Sequence, residues 1–224
     1  MINKKRVLAI IPVRAGSRRL PNKNILPFAN SNLLIHKIRQ LQNVEYIDEI
    51  VVSSDSDTML EMAKNEGVST QKRPVEYCDE KTKTFNEVVE YIISRVQADI
   101  IVWAPCVCPL TSVSSYRQAL LLYKEKVLET CEFDAVLSAK SFKEYLYDEI
   151  GPKNFLPASH IPSQKLPDWK VIVNGFYIAS RKDLLRWKFL YGTRPYFFVL
   201  NKKEACDIDD AEDFEVAKAL LNLK

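Results

Sequence analysis

The sequence predicts an α/β fold: a mostly parallel sheet with helices on both faces, in one domain spanning 1–224. Two observations carry the prediction. Short apolar runs rich in β-branched residues alternate with longer segments of helical period. A chain of 224 residues that is 47% hydrophobic and 27% charged can also bury a full core without metals or disulfides, and it shows no internal repeat and no Gly-, Ser- or Pro-rich linker.

The elements follow in order. Val7–Val13 is a short β-rich run bounded by turn residues, which reads as a buried strand. Arg14–Asn24 is a polar loop containing Gly16 and Pro21. A helix is expected over Leu33–Gln42 and a strand over Glu49–Ser53. Asp57–Asn65 places Met59, Leu60, Met62 and Ala63 on a helical face, and Gly67 stops it. Thr84–Val96 reads as a helix capped at Thr82 or Thr84, Ile100–Trp103 as a strand, Val113–Lys126 as a helix and Ala135–Ser138 as a strand. Residues 140–172, rich in Tyr, Phe, Pro and Lys, lack a period and read as an excursion, either a lid or a dimer arm. A strand at Val171–Ala179, a short helix at Arg181–Trp187, a strand at Phe197–Leu200 and a helix at Asp210–Leu221 complete a Rossmann-like alternation. Such sheets bind ligands beyond the carboxyl ends of their strands, where the Arg14–Asn24 loop lies.

Charge is distributed unevenly. The net charge is +3, yet residues 1–44 hold nine Lys and Arg and no acid, which points to an anionic partner. The five cysteines are an odd number, and Cys106-x-Cys108 is not zinc spacing, so reduced buried thiols are expected. A short apolar run follows Lys4-Lys5-Arg6 with no small-residue cleavage site, and no run approaches the length of a membrane helix, so a cytoplasmic location is expected.

Arg14-Ala-Gly-Ser-Arg-Arg-Leu-Pro-Asn-Lys-Asn24 packs four cations into eleven residues. Backbone amides turned inward at Gly16, with Arg and Lys side chains, suit a triphosphate; a solvated basic surface loop also accommodates these residues. No P-loop and no dinucleotide-binding glycine fingerprint occurs. Asp207 and Asp209 flank Ile208, and on an extended segment i and i+2 face one side, as a hard-oxygen Mg²⁺ site would require. Helix capping is the competing use of acids in this stretch.

Residues 10–24, Ile-Ile-Pro-Val-Arg-Ala-Gly-Ser-Arg-Arg-Leu-Pro-Asn-Lys-Asn, resemble the Ile-Pro-Ala-Arg-x-Gly-Ser-Lys-x-Leu-x-x-Lys-Asn signature of the CMP-sugar synthetases. These include the acylneuraminate (CMP-sialic acid) and CMP-Kdo cytidylyltransferases. Arg14, Gly16, Ser17, Leu20, Lys23 and Asn24 match, and Arg18 keeps the charge of the usual Lys. Further blocks resemble the family in order: Ile50–Asp55, Ala63–Val68 with Arg73-Pro74, Gln164–Pro167, Val173–Ile178 and Asp207–Asp213.

The resemblance implies transfer of CMP from CTP to an acidic sugar with release of pyrophosphate, Mg²⁺ as cofactor, and a homodimer to which 140–172 contributes. It implies that Arg14, Gly16, Ser17, Arg18 and Lys23 hold the triphosphate, with Arg14 and Lys23 stabilising charge as pyrophosphate departs. Asn24 and Arg73 are expected at the ribose or base, Gln164, Asn174 and Gly175 at the sugar, and Asp207 and Asp209 at Mg²⁺. Asp210 and Asp213 are left to cap the last helix, and His36 and His160 are expected to be structural. Trp103–Thr111 departs from the family's Leu-Gln-Pro-Thr-Ser-Pro-Leu-Arg by lacking its Gln and Arg. Lys140, Lys143 and Tyr147 are the acceptor candidates of the excursion. A different acceptor such as a phosphonate, or a non-catalytic nucleotide-binding protein, are the alternative readings. Neither a nucleic acid nor a membrane is expected as partner, since no nucleic-acid module appears and phosphate binding uses the basic segment.

Overall fold

The computed structural model describes residues 2–223; Met1 and Lys224, the ends of the expected domain, lie outside the described residues. Seven strands form the central sheet: β1 (Val7–Pro12), β2 (Glu49–Ser54), β3 (Ser69–Lys72), β4 (Ile100–Trp103), β5 (Ala135–Phe142), β6 (Trp169–Ser180) and β7 (Pro195–Val199). Their order is β7-β5-β6-β4-β1-β2-β3, and only β6 runs antiparallel to its neighbours. The order reverses beside β1, which pairs with both β2 and β4, and this opens a crevice at the carboxyl ends of β1 and β4.

The helices are α1 (Leu33–Gln42), α2 (Asp57–Asn65), α3 (Phe85–Ser94), α4 (Val113–Tyr123), α5 (Arg181–Trp187) and α6 (Ala211–Asn222). Alternation along β1 builds two cores. Val7, Ala9 and Ile11 pack with α1, α2, α4 and α6, whereas Leu8 and Ile10 pack with α3 and α5. Helices therefore cover both faces, as the sequence predicts. No helix among the described residues is long and apolar enough to cross a membrane.

Several expectations need correction. The strand Ser69–Lys72 had no apolar signal because it is a polar sheet edge. The fourth helix ends at Tyr123 and widens into a π-helical turn over Lys124–Glu129. The fifth strand continues past Ser138 to Phe142, where it pairs with Trp169, so the excursion leaves the sheet on a two-stranded ribbon. Beyond it come a small hairpin, Tyr147–Asp148 against Gly151–Pro152, and a 3-10 turn at Ser163–Lys165. The five cysteines are free, but only Cys106 and Cys108 are buried, and Cys131 is exposed.

Local capping matches the residues that carry it. Thr84 and Glu87 form a reciprocal capping box that opens α3. Asp210 and Asp213 do the same for α6, as expected. His36 hydrogen-bonds through Nε2 with the Pro109 carbonyl at 3.0 Å and packs edge-on to Phe28, and His160 stacks on Tyr145.

Candidate functional site

A cleft of about 680 Å³ opens at the carboxyl ends of β1 and β4, walled by the loop after β1, the 77–88 segment, Asn174 and Tyr177 of β6, the stretch after α5, and Asp209. The loop is built to stay open. Gly16 sits at φ +72°, a conformation that favours glycine, and the Ala15 amide donates to Asp55 Oδ1 at 2.9 Å. Arg14, Ser17, Arg18 and Lys23 line the cleft. Gly16 is not in its wall; it supplies the turn that aims its neighbours.

The cations are held by neighbouring acids and carbonyls. Arg14 donates to the Cys78 carbonyl at 2.7 Å and to Glu80 at 2.5 Å, and Arg18 pairs with Asp79 at 3.2 Å. These pairs are exposed on at least one side and therefore weak, so a polyphosphate can displace the carboxylates. Lys23 Nζ donates to the Ile208 carbonyl at 2.8 Å. Burial pushes its pKa down, while the charges of Asp209 and Asp207 oppose that shift.

The acidic segment reaches the same place from the far end of the chain. Ile208 is fully buried, and its amide donates to the Val107 carbonyl at 2.8 Å in the loop after β4. That anchor holds Asp207 and Asp209 on either side of it. Asp207 Oδ2 accepts from Asn174 Nδ2 at 2.7 Å, and Asn174 Oδ1 accepts from the Tyr177 hydroxyl at 2.7 Å. Asp207 Oδ1 is buried with no hydrogen-bond partner. Burial raises the Asp207 pKa and the charge of Asp209 adds to the shift, while the Asn174 bond opposes it. Asp209 pairs with Arg19 at 2.8 Å.

The fit of this pair to a cation rests on the orphaned oxygen. A buried carboxylate oxygen without a donor is costly unless a cation or a proton meets it. Among the described residues no group of three or more His, Cys, Asp or Glu converges. Two carboxylates with the remaining positions left to water and phosphate oxygens is the manner in which Mg²⁺ is commonly held.

Four expected site residues make contacts of another kind. Arg73 is 3% exposed, and its guanidinium donates to the Val13 carbonyl at 2.7 Å and to Cys78 Sγ at 2.9 Å. Asn24 is buried and donates to the Arg14 carbonyl at 3.1 Å. Both border the cleft, yet these donors brace the loop backbone. Gly175 is buried; a Cβ there would lie 3.0 Å from both Leu200 Cδ1 and Ser138 Oγ, so its use is close packing. Gln164 stands exposed on the excursion, outside the cleft wall, as do Lys140, Lys143 and Tyr147.

Other wall residues escaped the sequence reading. Arg19 occupies a position that the signature leaves free. Phe85, Trp103, Phe189 and Tyr191 come from three separate segments, and no spacing unites them. The one available signal was Trp103, at the point where the family pattern departs.

Comparison with known proteins shows the family and agrees with the fold. The profile of the family described as "Cytidylyltransferase" matches residues 8–149. The chain is 27% identical to the pseudaminic acid cytidylyltransferase of Campylobacter jejuni strain 81-176, covering 95% of each. It is 26% identical to the CMP-N,N'-diacetyllegionaminic acid synthase of Legionella pneumophila, covering 97% of each. Among solved structures, it resembles CMP:2-keto-3-deoxy-manno-octonic acid synthetase complexed with CTP, with a TM-score of 0.70 at 14% identity over 96% of this chain and 98% of that one.

Proposed function

The chain belongs to the cytidylyltransferase family, the nucleotidyltransferases that include the CMP-sugar synthetases, and on that premise we propose that it joins CMP from CTP to an α-keto acid sugar of the nonulosonic or Kdo type. Pyrophosphate leaves, and Mg²⁺ is the cofactor. One observation carries the reading: the cationic loop after β1 and Asp209 line one cleft, and the Lys23 side chain is tied to the neighbouring Ile208 carbonyl by a 2.8 Å bond, with Asp207 just behind the wall.

The reaction is a displacement at phosphorus. The acceptor's anomeric hydroxyl oxygen bonds to the α-phosphorus, the bond to the β-phosphate oxygen breaks, and the hydroxyl proton passes to solvent. Positioning and charge stabilisation dominate such transfers. Arg14, Ser17 and Arg18 hold the triphosphate as Glu80 and Asp79 give way. Lys23 supports the charge that gathers on the departing pyrophosphate. Asp207 and Asp209 would hold Mg²⁺, which when bound supplies Lewis-acid polarisation of phosphate oxygen and acidifies a hydroxyl. Asn174 orients Asp207 through its 2.7 Å bond. The exposed apolar groups of the excursion, Tyr147, Ile150 and Leu156, support its use as an arm in a homodimer.

The test is chromatographic. The protein is incubated with each of the four nucleoside triphosphates, Mg²⁺ and a panel of sialic, legionaminic and pseudaminic acids and Kdo. The expected result is a CMP-linked sugar and equimolar pyrophosphate from CTP, abolished by a chelator. Absence of product with every acceptor, or preference for another nucleotide, overturns the proposal.

A further inference from the structure

Lys37 is fully buried on α1, and among the described residues no carboxylate pairs with it. Its ammonium donates to Gln40 Oε1 at 2.7 Å, to the Cys108 carbonyl at 3.0 Å and to the Tyr116 hydroxyl at 2.9 Å, which uses all three N–H bonds. Burial pushes its pKa down only to about 8, so at neutral pH the group still carries those three donors. A buried charge without an opposite charge is costly, and an apolar side chain of similar length would fill the space without that cost. Packing therefore does not account for a lysine here. Lys37 also lies outside every block that resembles the family and outside the cleft wall. What distinguishes it is what it connects.

Two routes run from this ammonium to the acidic pair. The first passes through the loop after β4. Cys108 is held directly, and Gln40, fixed by Lys37, donates to the Pro109 carbonyl at 3.1 Å and to the Thr111 carbonyl. The adjoining Val107 carbonyl accepts the Ile208 amide at 2.8 Å, which is the anchor between Asp207 and Asp209. The second route passes through α4. The Tyr116 hydroxyl accepts from Lys37 and donates to the Gly175 carbonyl at 2.9 Å. Gly175 lies in a bulge of β6, where Val173–Phe176 stand opposite Ser138 alone and the ladder to β5 is interrupted. Buried carbonyls at such a break need other donors, and the Ser138 and Tyr116 hydroxyls supply them. The bulge presents Asn174 at the cleft, where it donates to Asp207 Oδ2 at 2.7 Å.

We propose that Lys37 is a positioning residue for CMP transfer: one buried ammonium fixes both supports of the Asp207–Asp209 segment, the Val107 carbonyl and Asn174. It acts only through Cys108, Gln40 and Tyr116. The inference rests on the CMP-transfer reading and goes beyond it in assigning a role to a residue outside the cleft.

Two variants and two readouts test it. Lys37→Met keeps the length of the side chain and removes the ammonium. Tyr116→Phe removes one hydroxyl and cuts only the second route. Steady-state kinetics are expected to show kcat lowered about 100-fold in Lys37→Met and about tenfold in Tyr116→Phe, the scale of a small misplacement at the reacting centre. The KM for CTP stays within about twofold in both, because Arg14, Ser17 and Arg18 hold the triphosphate from another loop. Hydrogen exchange of the nucleotide-free protein reads the supports without turnover. In Lys37→Met the amides of Ile208 and Phe176 lose protection about tenfold relative to those of β1, and in Tyr116→Phe only Phe176 does. An unchanged kcat in Lys37→Met overturns the inference. So does a loss of protection spread evenly over the sheet, the mark of a merely structural lysine. If Lys37→Met does not fold, Tyr116→Phe decides, and an unchanged kcat there overturns the inference. If the wild type transfers CMP to no acceptor, the CMP-transfer reading fails. Exchange then decides the two routes by itself: local loss at Ile208 and Phe176 upholds them, and unchanged protection overturns them.

Discussion

Lys23 donates through Nζ to the carbonyl of Ile208 at 2.8 Å, and this one bond ties the cationic loop after β1 to the acidic segment ahead of α6. The lysine is partly buried, and the same segment supplies the two carboxylates that oppose the lowering of its pKa. The cationic loop, Lys23 and the acidic segment are thus one mechanical unit. Lys23→Met is expected to raise the KM for CTP at least tenfold and to lower kcat as well, a loss of about 1.5–3 kcal/mol for a charge-assisted contact. Steady-state kinetics with varied CTP check it. An unchanged KM and kcat would remove Lys23 from the site.

Asp207→Asn separates function from stability. The substitution keeps an acceptor for Asn174 and removes a carboxylate whose oxygen has no partner. Transfer is expected to fall at least about 100-fold, while the thermal midpoint in chelator is equal to or above that of the wild type. Mg²⁺ then raises the wild-type midpoint and leaves that of the variant in place. Calorimetric scans with and without Mg²⁺ decide it.

Gly175→Ala tests the assignment of that position to packing. The new Cβ meets Leu200 Cδ1 and Ser138 Oγ at 3.0 Å and Thr111 Oγ1 at 3.2 Å. A destabilisation of about 1–3 kcal/mol is expected, with little change in acceptor KM. Denaturant unfolding gives the first quantity and kinetics the second. A large KM effect at unchanged stability would return the residue to the sugar site.

Lys37 is fully buried on α1, donating to Gln40 Oε1, the Cys108 carbonyl and the Tyr116 hydroxyl. Burial pushes its pKa down to about 8, whereas in the unfolded chain it titrates near about 10.4. Between those values the unfolded state binds the proton that the folded state has released, so this group's contribution to stability grows as pH rises. Burial raises the thiols of Cys106 and Cys108, which act in the opposite direction. The informative quantity is therefore the wild-type unfolding free energy minus that of Lys37→Met, expected to increase over this window. A flat difference would refute it.

The capping box of α3 also has a pH signature. Bonds from the Thr84 backbone, Lys83 and the Thr84 side chain hold the Glu87 pKa at about 2. A carboxylate lowered on folding contributes stability that is present above its unfolded value and lost as pH falls toward the folded one. Thr84→Ala is expected to cost about 1 kcal/mol at neutral pH and to flatten the acid limb of the stability curve. Urea unfolding from pH 7 down to pH 3 measures both.

Legibility followed the kind of signal each element carries. Leu33–Gln42 was readable because its apolar period reflects burial of one helix face, and Ile100–Trp103 because its continuous apolar run reflects a central strand buried on both faces. Ser69–Lys72 was invisible because a polar edge strand has no such pattern. The loop Arg14–Asn24 was readable because its four cations and its glycine fall within eleven residues. The bracing contacts of Arg73 and Asn24 were not legible for one physical reason: a side chain's donors go to whichever acceptor folding brings near, here the Val13 and Arg14 carbonyls.

By itself the sequence determined the alternating α/β plan, the cationic loop with its family signature, the paired acids and the cap that opens the last helix. All of these are written in neighbouring residues, so local spacing expresses them. Only the tertiary structure decided that Lys23 and Ile208 meet, that Gly175 is a packing position, and that rings from β4, α3, β6 and the stretch after α5 form one surface. Contacts between distant segments depend on strand order and helix docking, and no local spacing encodes them.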